Sequence, residues 1–201
     1  MPDTALAIYL AFFAVAFGWR MWLQYRRTGD TGFRGFSAGR RFSEILGALS
    51  LLLAATLPAA AAIAARFGLT AAFEGVNTAS ANRAGLALAV LGFIIVIVSQ
   101  LQMRDSWRIG VDQRETTALI TTGLFQMMRN PIYTGSFLAI VGVFLMVPNV
   151  LSAMALMLIF PSLEIQVRRV EEPYLLRTHG DSYRAYARRV GRFIPWVGRL
   201  A

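Results

Sequence analysis

The apolar run from Ile132 to Ile165 constrains this chain more than any other feature. About 20 apolar residues cross the roughly 30 Å hydrocarbon core of a bilayer, so the run is too long for one ordinary span. Pro148-Asn149 sits near its middle and is a turn signal. The run therefore predicts a tight hairpin of two helices, Ile132–Val147 and Val150–Ile165. Each arm is short for the full bilayer, and Pro161 predicts a bend in the second.

Three earlier runs read as further spans. Thr4–Trp22 has neither a basic leader nor an A-x-A cleavage site, so it predicts a retained helix. Ser43–Ala65 is rich in Leu and Ala, with a kink expected at Pro58. Ala84–Gln102 carries Gly85, Ala89 and Gly92 on one side, a face that permits close helix packing. The expected fold is an all-α, polytopic membrane helix bundle. It has about five transmembrane helices including the tight hairpin, with amphipathic helices at the C-terminal end. Residues 1–201 form a single membrane domain, with the first three spans in 1–103 and the chemistry-bearing half in 104–201. Internal repeats are not visible.

Composition agrees. Hydrophobic residues make up 56% and charged residues 15% of the chain, and mean hydropathy is +0.53. Soluble domains carry about 25% charge, so an ordinary cytosolic enzyme and a disordered chain are both excluded. The net charge is +9 and every cation is arginine. The apolar runs turn that charge toward membrane topology rather than nucleic acid. Lysine-free usage points to a GC-rich genome, a bacterial trait. There is no cysteine and a single histidine, His179. Disulfides, thiolate sites and multi-histidine metal centres are thereby excluded, and no metal is expected.

Arginines fix the orientation. Tyr25–Phe42, Met103–Pro131 and the tail after Ile165 hold nearly all of them, whereas the opposite side has only Arg66 and Arg83. By the positive-inside rule the N-terminus faces out, and the polar loop and tail are cytoplasmic. A bacterial inner-membrane protein is expected. The turn-rich loop Thr28–Gly39, with Phe33 and Phe36, suits a headgroup interface.

Two cytoplasmic stretches carry candidate chemistry. In the first, Thr122-Gly123 reads as a turn. Asn130-Pro131 reads as a helix start, with Asn130 as N-cap and Pro131 in the first turn. A helix N-terminus suits an anion, and Arg129 adds a bidentate fork. The same residues also read as a capped membrane helix with an interfacial arginine. In the second stretch Arg168 and Glu172 are spaced i, i+4 on a helix leaving the last span. Glu171-Glu172 is a carboxylate pair that suits a cationic ligand, or is simply solvated. Tyr183 and Tyr186 precede a basic run ended by Phe193-Ile194-Pro195, which also reads as a surface-lying amphipathic helix. His179 precedes Gly180 at an expected helix C-terminus.

Three blocks in order resemble the integral-membrane methyltransferases of the isoprenylcysteine carboxyl methyltransferase and phospholipid methyltransferase superfamily. They are Thr121-Thr122-Gly123-Leu124-Phe125 with Arg129-Asn130-Pro131-Ile132-Tyr133-Thr134-Gly135; then Glu171-Glu172-Pro173-Tyr174-Leu175; then His179-Gly180-Asp181-Ser182-Tyr183-Arg184-Ala185-Tyr186 with Val190-Gly191-Arg192-Phe193-Ile194-Pro195. The upstream Trp107-Arg108-Ile109-Gly110 resembles bacterial members. Asn130 stands where eukaryotic carboxyl methyltransferases have histidine, and it cannot titrate. His179 stands where phenylalanine is usual.

The resemblance implies S-adenosylmethionine as cofactor, S-adenosylhomocysteine as product, and an amphiphilic acceptor such as an isoprenylcysteine-like carboxylate or a lipid headgroup. It assigns the cofactor to Thr122, Gly123, Leu124, Arg129, Asn130, Pro131, Tyr133, Gly135, Glu171, Tyr183 and Tyr186. Arg129 and the following helix start would take the carboxylate, and Glu171 a cationic or hydroxyl-bearing part. The tyrosines would shield adenine or the sulfonium. The catalytic pair is expected to be Arg168, steering an anionic acceptor, and Glu172, holding Arg168 or acting as base toward an amine. A non-catalytic scaffold and a sterol-reductase-like nicotinamide enzyme are the other classes. The topology makes a direct prediction: reporters fused after Ala201 and within Phe67–Asn82 should report opposite sides of the membrane. Both on one side would overturn the five-span arrangement.

Overall fold

A computed structural model describes residues 1–34, 42–110 and 116–200. Phe36 of the expected interfacial loop, Arg40 and Arg41 of the Tyr25–Phe42 stretch, and Val111, Asp112 and Arg114 of the polar loop lie outside the described residues. Among the described residues the secondary structure is helical, apart from two isolated bridges, Phe33 with Ile109 and Met128 with Gly191.

The first helix runs without a break for 27 residues, Pro2–Thr28. It comprises α1 (Pro2–Phe13), a π-helical stretch (Ala14–Trp19) and α2 (Arg20–Thr28). Gly29 closes it in the left-handed region at φ 75°. A π-turn leaves backbone carbonyls poorly satisfied. Here the Ala16 carbonyl accepts from Gln100 Nε2 at 2.9 Å.

Then follow α3 (Phe42–Arg66) and α4 (Ala79–Met103), which Thr78 caps by accepting from the Ala81 N–H. The hairpin is α5 (Pro131–Met146) and α6 (Val150–Ile165). A second π-turn, Gln166–Glu171, carries α6 directly into α7 (Glu172–Arg189). Among the described residues four helical stretches are long and apolar enough to cross a membrane, and α5 is a shorter apolar helix. Both Pro58 and Pro161 sit inside helices that continue through them.

The expected hairpin lies within a residue of its predicted arms, and its turn has a specific chemistry. Asn149 is almost completely buried. Its Oδ1 accepts from the N–H groups of Leu151 and Ser152, both at 3.1 Å. Its Nδ2 donates to the Ala61 carbonyl at 2.9 Å and to Thr70 Oγ1 at 3.1 Å. One side chain thus caps α6 and pins the hairpin tip to the end of α3.

Lipid provides little hydrophobic drive for helices to associate, so close packing between small residues does the work. The face of α4 with Gly85, Ala89 and Gly92 meets Gly135, Ala139 and Gly142 of α5. A Cβ on Gly92 would lie 2.4 Å from the Gly135 carbonyl oxygen, and one on Gly142 would lie 2.5 Å from the Ala89 nitrogen. Those obstacles are backbone and cannot rotate away. Gly135 is therefore a packing residue at this seam, not a ligand contact. On the other side Tyr9 bridges α1 to α3 through a 2.8 Å bond to the Ala55 carbonyl. Ile140, Val143, Ile159 and Leu163 fill the middle.

Gly92→Ala should force α4 and α5 apart and cost about 1–3 kcal/mol, the usual range for overpacking. Gly18→Ala, whose new methyl would meet nothing within 4 Å, should stay within about 0.5 kcal/mol. Thermal unfolding of the two variants in detergent checks the contrast.

Candidate active site

The polar end of the bundle is built from three converging pieces: the segment leading into α5, the π-turn and α7, and the chain after Arg189. Thr122 is extended (φ −107°, ψ 165°) and opens a short 3₁₀ turn over Gly123–Gln126. Gly123 takes φ +64°, and a Cβ there would lie 2.3 Å from Gln102 Nε2. Gln102 Oε1 in turn accepts from the Leu124 N–H at 2.9 Å. Thr122, Gly123 and Leu124 thus attach the loop to the end of α4, and none of them borders the large cavity described below.

The C-terminal segment is strapped alongside. The N–H groups of Arg129 and Asn130 donate to the carbonyls of Gly191 and Arg192 at 2.8 and 3.0 Å. Asn130 does occupy the N-cap position of α5 and Pro131 its first turn. The Asn130 side chain does not cap, however: its Nδ2 donates to the Arg192 carbonyl at 3.1 Å. The strap competes for the amide and wins.

Below the strap lies a buried ion cluster. Glu172 Oε1 accepts from Arg129 at 2.7 Å and from Arg192 Nε at 2.8 Å, and its Oε2 accepts from Arg192 at 3.1 Å. Arg129 also donates to the carbonyls of Ala187 (2.9 Å), Val190 (2.6 Å) and Gly198 (3.1 Å). Helix α7 carries charges throughout and lies beyond the apolar run. Burial pushes the Glu172 carboxyl up, but bonds and charge from Arg192 and Arg129 outweigh it and hold it below the ordinary range. The same contact pushes Arg192 up.

This cluster corrects two expectations. Both terminal nitrogens of Arg129 are committed to protein acceptors, so Arg129 is not a free fork for a carboxylate. Arg168 does not pair with Glu172. It pairs with Glu164, and its side chain is 57% exposed. The reason is that both oxygens of Glu172 are taken by Arg129 and Arg192, partners from distant segments that local spacing does not reveal. Arg168 turns instead to Glu164, four residues back on the same helix.

The adjacent carboxylate faces the other way. Glu171 accepts from the Tyr133 hydroxyl of α5 and from Gln166 Nε2 at 3.3 Å. It borders a cavity of about 500 Å³ together with Arg129, Asn130, Pro131, Tyr133, Tyr183 and Tyr186. Seven of the expected site residues therefore share one cavity. Tyr183 and Tyr186 are buried, and the Tyr186 hydroxyl donates to the Phe125 carbonyl at 2.6 Å. Trp107, Ile109, Leu119 and Ile120 form a roof. Away from the charges the same cavity continues between Tyr9, Phe13, Leu51, Ile140 and Ile159.

Sequence reading missed Gln166 and gave Arg192 no role. The polar cluster Ser99-Gln100 and Gln102 at the end of an apolar run was a usable signal, since buried amides must find partners.

A profile of the Phospholipid methyltransferase family matches residues 80–182. The chain belongs to that family. Among curated relatives, the phospholipid methyltransferase family member is 31% identical over 115 residues to protein-S-isoprenylcysteine O-methyltransferase B of Arabidopsis thaliana, covering 56% of this chain and 58% of that one. It is 31% identical over 123 residues to methanethiol S-methyltransferase of Crocosphaera subtropica, covering 56% and 47%. It is 32% identical over 111 residues to the nickel-cobalt-cadmium resistance protein NccN of Alcaligenes xylosoxydans xylosoxydans, covering 55% and 49%. The match spans about half the length of these relatives. The fold is similar to that of a solved eukaryotic intramembrane Ras methyltransferase, isoprenylcysteine carboxyl methyltransferase. The TM-score is 0.67 over 96% of this chain and 66% of that chain, at 18% identity.

The ion cluster predicts a split in stability. Glu172→Gln leaves two buried guanidinium groups without a counter-charge and should cost about 3–5 kcal/mol, whereas Arg129→Ala leaves Glu172 its pair with Arg192 but unpairs buried carbonyls of Ala187 and Val190, and should cost about 1–3 kcal/mol. Arg168→Leu removes only an exposed pair and should change stability by less than about 1 kcal/mol. Thermal unfolding of the three variants in detergent distinguishes the clamp from the surface pair.

Proposed function

We propose that this chain is an S-adenosylmethionine-dependent methyltransferase that acts at the cytoplasmic face of a bacterial inner membrane on an amphiphilic acceptor. The observation that carries this is the two-ended cavity. Glu171, Asn130 and Tyr133 lie at one end and hydrocarbon-lined walls from α1, α3 and α6 at the other. Its volume of about 500 Å³ falls within the usual range for small-molecule sites, about 300–1,000 Å³. A water-soluble acceptor would have no use for the apolar end.

The residues present fit the cofactor. The N-terminus of α5 borders the cavity, and the N–H groups of its first turn present partial positive charge suited to a carboxylate. Glu171, held by Tyr133 and Gln166, suits an ammonium or a ribose hydroxyl. Trp107, Ile109 and Leu119 offer flat apolar surface to a purine. The bound cofactor would supply an electrophilic methyl group.

For transfer, the chain's part is to hold the two reactants about 3–3.5 Å apart and in line, with water excluded. An acceptor that is already anionic needs no base. For an acceptor that carries a proton, Glu171 is the carboxylate on the cavity wall, since Glu172 is occupied by two guanidinium groups. The first three spans contribute directly, because Tyr9 and Leu51 line the apolar end. Binding is therefore a property of the whole of residues 1–201 and not of the C-terminal half alone.

Calorimetry with S-adenosylhomocysteine, then transfer of a labelled methyl group to a lipid extract, tests the proposal. Glu171→Gln removes a charge-assisted bond of about 1.5–3 kcal/mol, so product affinity should fall by roughly 10–150-fold. A folded wild-type protein that does not bind the compound would return the chain to the non-catalytic class.

A further inference from the structure

A charged residue buried within the first span has no place in the reading above. Arg20 is 0% exposed. Its guanidinium donates to Gln24 Oε1 at 3.0 Å and to the carbonyls of Arg104 and, at 3.5 Å, Gln100. It also stacks 4.6 Å from the centre of the Trp107 ring. Its Nε finds no partner. An apolar side chain of similar volume would fill this space without the cost of desolvating a charge. What the arginine adds is geometry.

That geometry concerns the reversal at the end of α4. Arg104 is a non-glycine residue at φ 49° and ψ −124°, a strained conformation that persists only where the surroundings impose it. Arg20 binds its carbonyl, and Gln24 Nε2 binds the carbonyl of the next residue, Asp105, at 2.8 Å. The reversal turns the chain back across the end of the bundle and sets Trp107, 3% exposed, into the cavity roof.

A second contact with Trp107 comes from the segment that follows the same helix. Gly32, at φ +75°, lies so close that an added Cβ would be 3.0 Å from the Trp107 carbonyl oxygen and 3.2–3.3 Å from its ring. The Ile109 N–H donates to the Gly32 carbonyl at 2.8 Å, and the Arg34 N–H donates to the Ile109 carbonyl at 3.0 Å. All of these contacts come from residues 20–34, which precede the family match at residue 80.

We propose that Arg20 is a positioning residue for the cofactor cavity: together with Gly32, it clamps Trp107 so that the roof is set before the cofactor arrives. This rests on the reading of the cavity as a cofactor site. The clamp acts on binding, because Arg20 does not border the cavity and reaches it through the lining residues Trp107 and Gln100.

The test uses the chain of residues 1–201 in detergent and two variants that disturb the roof through separate contacts, Arg20→Met and Gly32→Ala. Calorimetry measures their affinity for S-adenosylhomocysteine. Trp107 fluorescence is followed in a background with Trp19, Trp22 and Trp196 changed to Phe. Both variants should bind at least 10-fold more weakly than wild type. The cofactor KM should rise in parallel while kcat at saturating cofactor stays within about threefold, a split that general loss of structure does not produce. Ligand-free Trp107 emission should shift to the red in both. If Arg20→Met does not fold, Gly32→Ala, which disturbs no buried charge, decides alone. Wild-type affinity and emission in folded Gly32→Ala would overturn the clamp. If wild type itself fails to bind, the cofactor reading falls, and the clamp with it.

Discussion

The carboxylate of Glu172 is the point on which the polar end of this molecule depends. It lies where the chain has just left the apolar run, and it holds two guanidinium groups that would otherwise be buried without a counter-charge. Arg129 comes from the residues before α5 and Arg192 from the strap after α7. Through Arg129 the cluster also gathers the carbonyls of Ala187, Val190 and Gly198. One acidic side chain therefore joins the start of one membrane helix, the amphipathic helix that leaves another, and the C-terminal segment. A cluster of this kind is weak evidence for net stability, because desolvation offsets much of the attraction. Its value is that alternative arrangements are costly, so the mouth of the cavity has one geometry.

That geometry would have nothing to act on without the glycine seam between α4 and α5. Backbones that meet at Gly92 and Gly135 bring the last turn of α4 beside the first turn of α5. Gln100 and Gln102 then sit where they can satisfy the Ala16 carbonyl and the Leu124 N–H. The seam lies in the hydrocarbon region and the amides near its edge, so packing sets the position of the polar groups. The roof over the cavity inherits its position from both.

Much of this was legible in the sequence where a single physical rule governs. Hydrophobic length and Pro148-Asn149 located the hairpin to within a residue. The spacing of Gly85, Ala89 and Gly92 identified the packing face before its partner was known. Seven of the eleven residues assigned to the cofactor line one cavity. What failed did so where two rules compete. Asn130 is in the N-cap position, but an acceptor from the distant strap takes its amide. Arg129 looked free because its four acceptors lie between 43 and 69 residues away along the chain. The burial of Arg20 was not legible: a cation at the end of a span usually snorkels, and nothing local marks that Gln24, Gln100 and Trp107 enclose it.

The pairing of Arg168 with Glu172 failed because Glu172 is taken by Arg129 and Arg192, and that division of roles also bears on how the site works. Successive residues on a helix point about 100° apart, so two neighbouring glutamates face different sectors of the surface. The π-turn Gln166–Glu171 falls between α6, which is shaped for lipid, and α7, which is shaped for the ion cluster. At its end Glu171 is turned toward Tyr133 and the cavity, while Glu172 is turned toward Arg129 and Arg192. The two carboxylates are thus held apart by backbone geometry. One is saturated by protein cations and fixes the architecture. The other is bonded by a phenol and an amide; burial pushes its carboxyl up and the Arg108 guanidinium nearby opposes that, and it faces the cavity where a ligand would meet it.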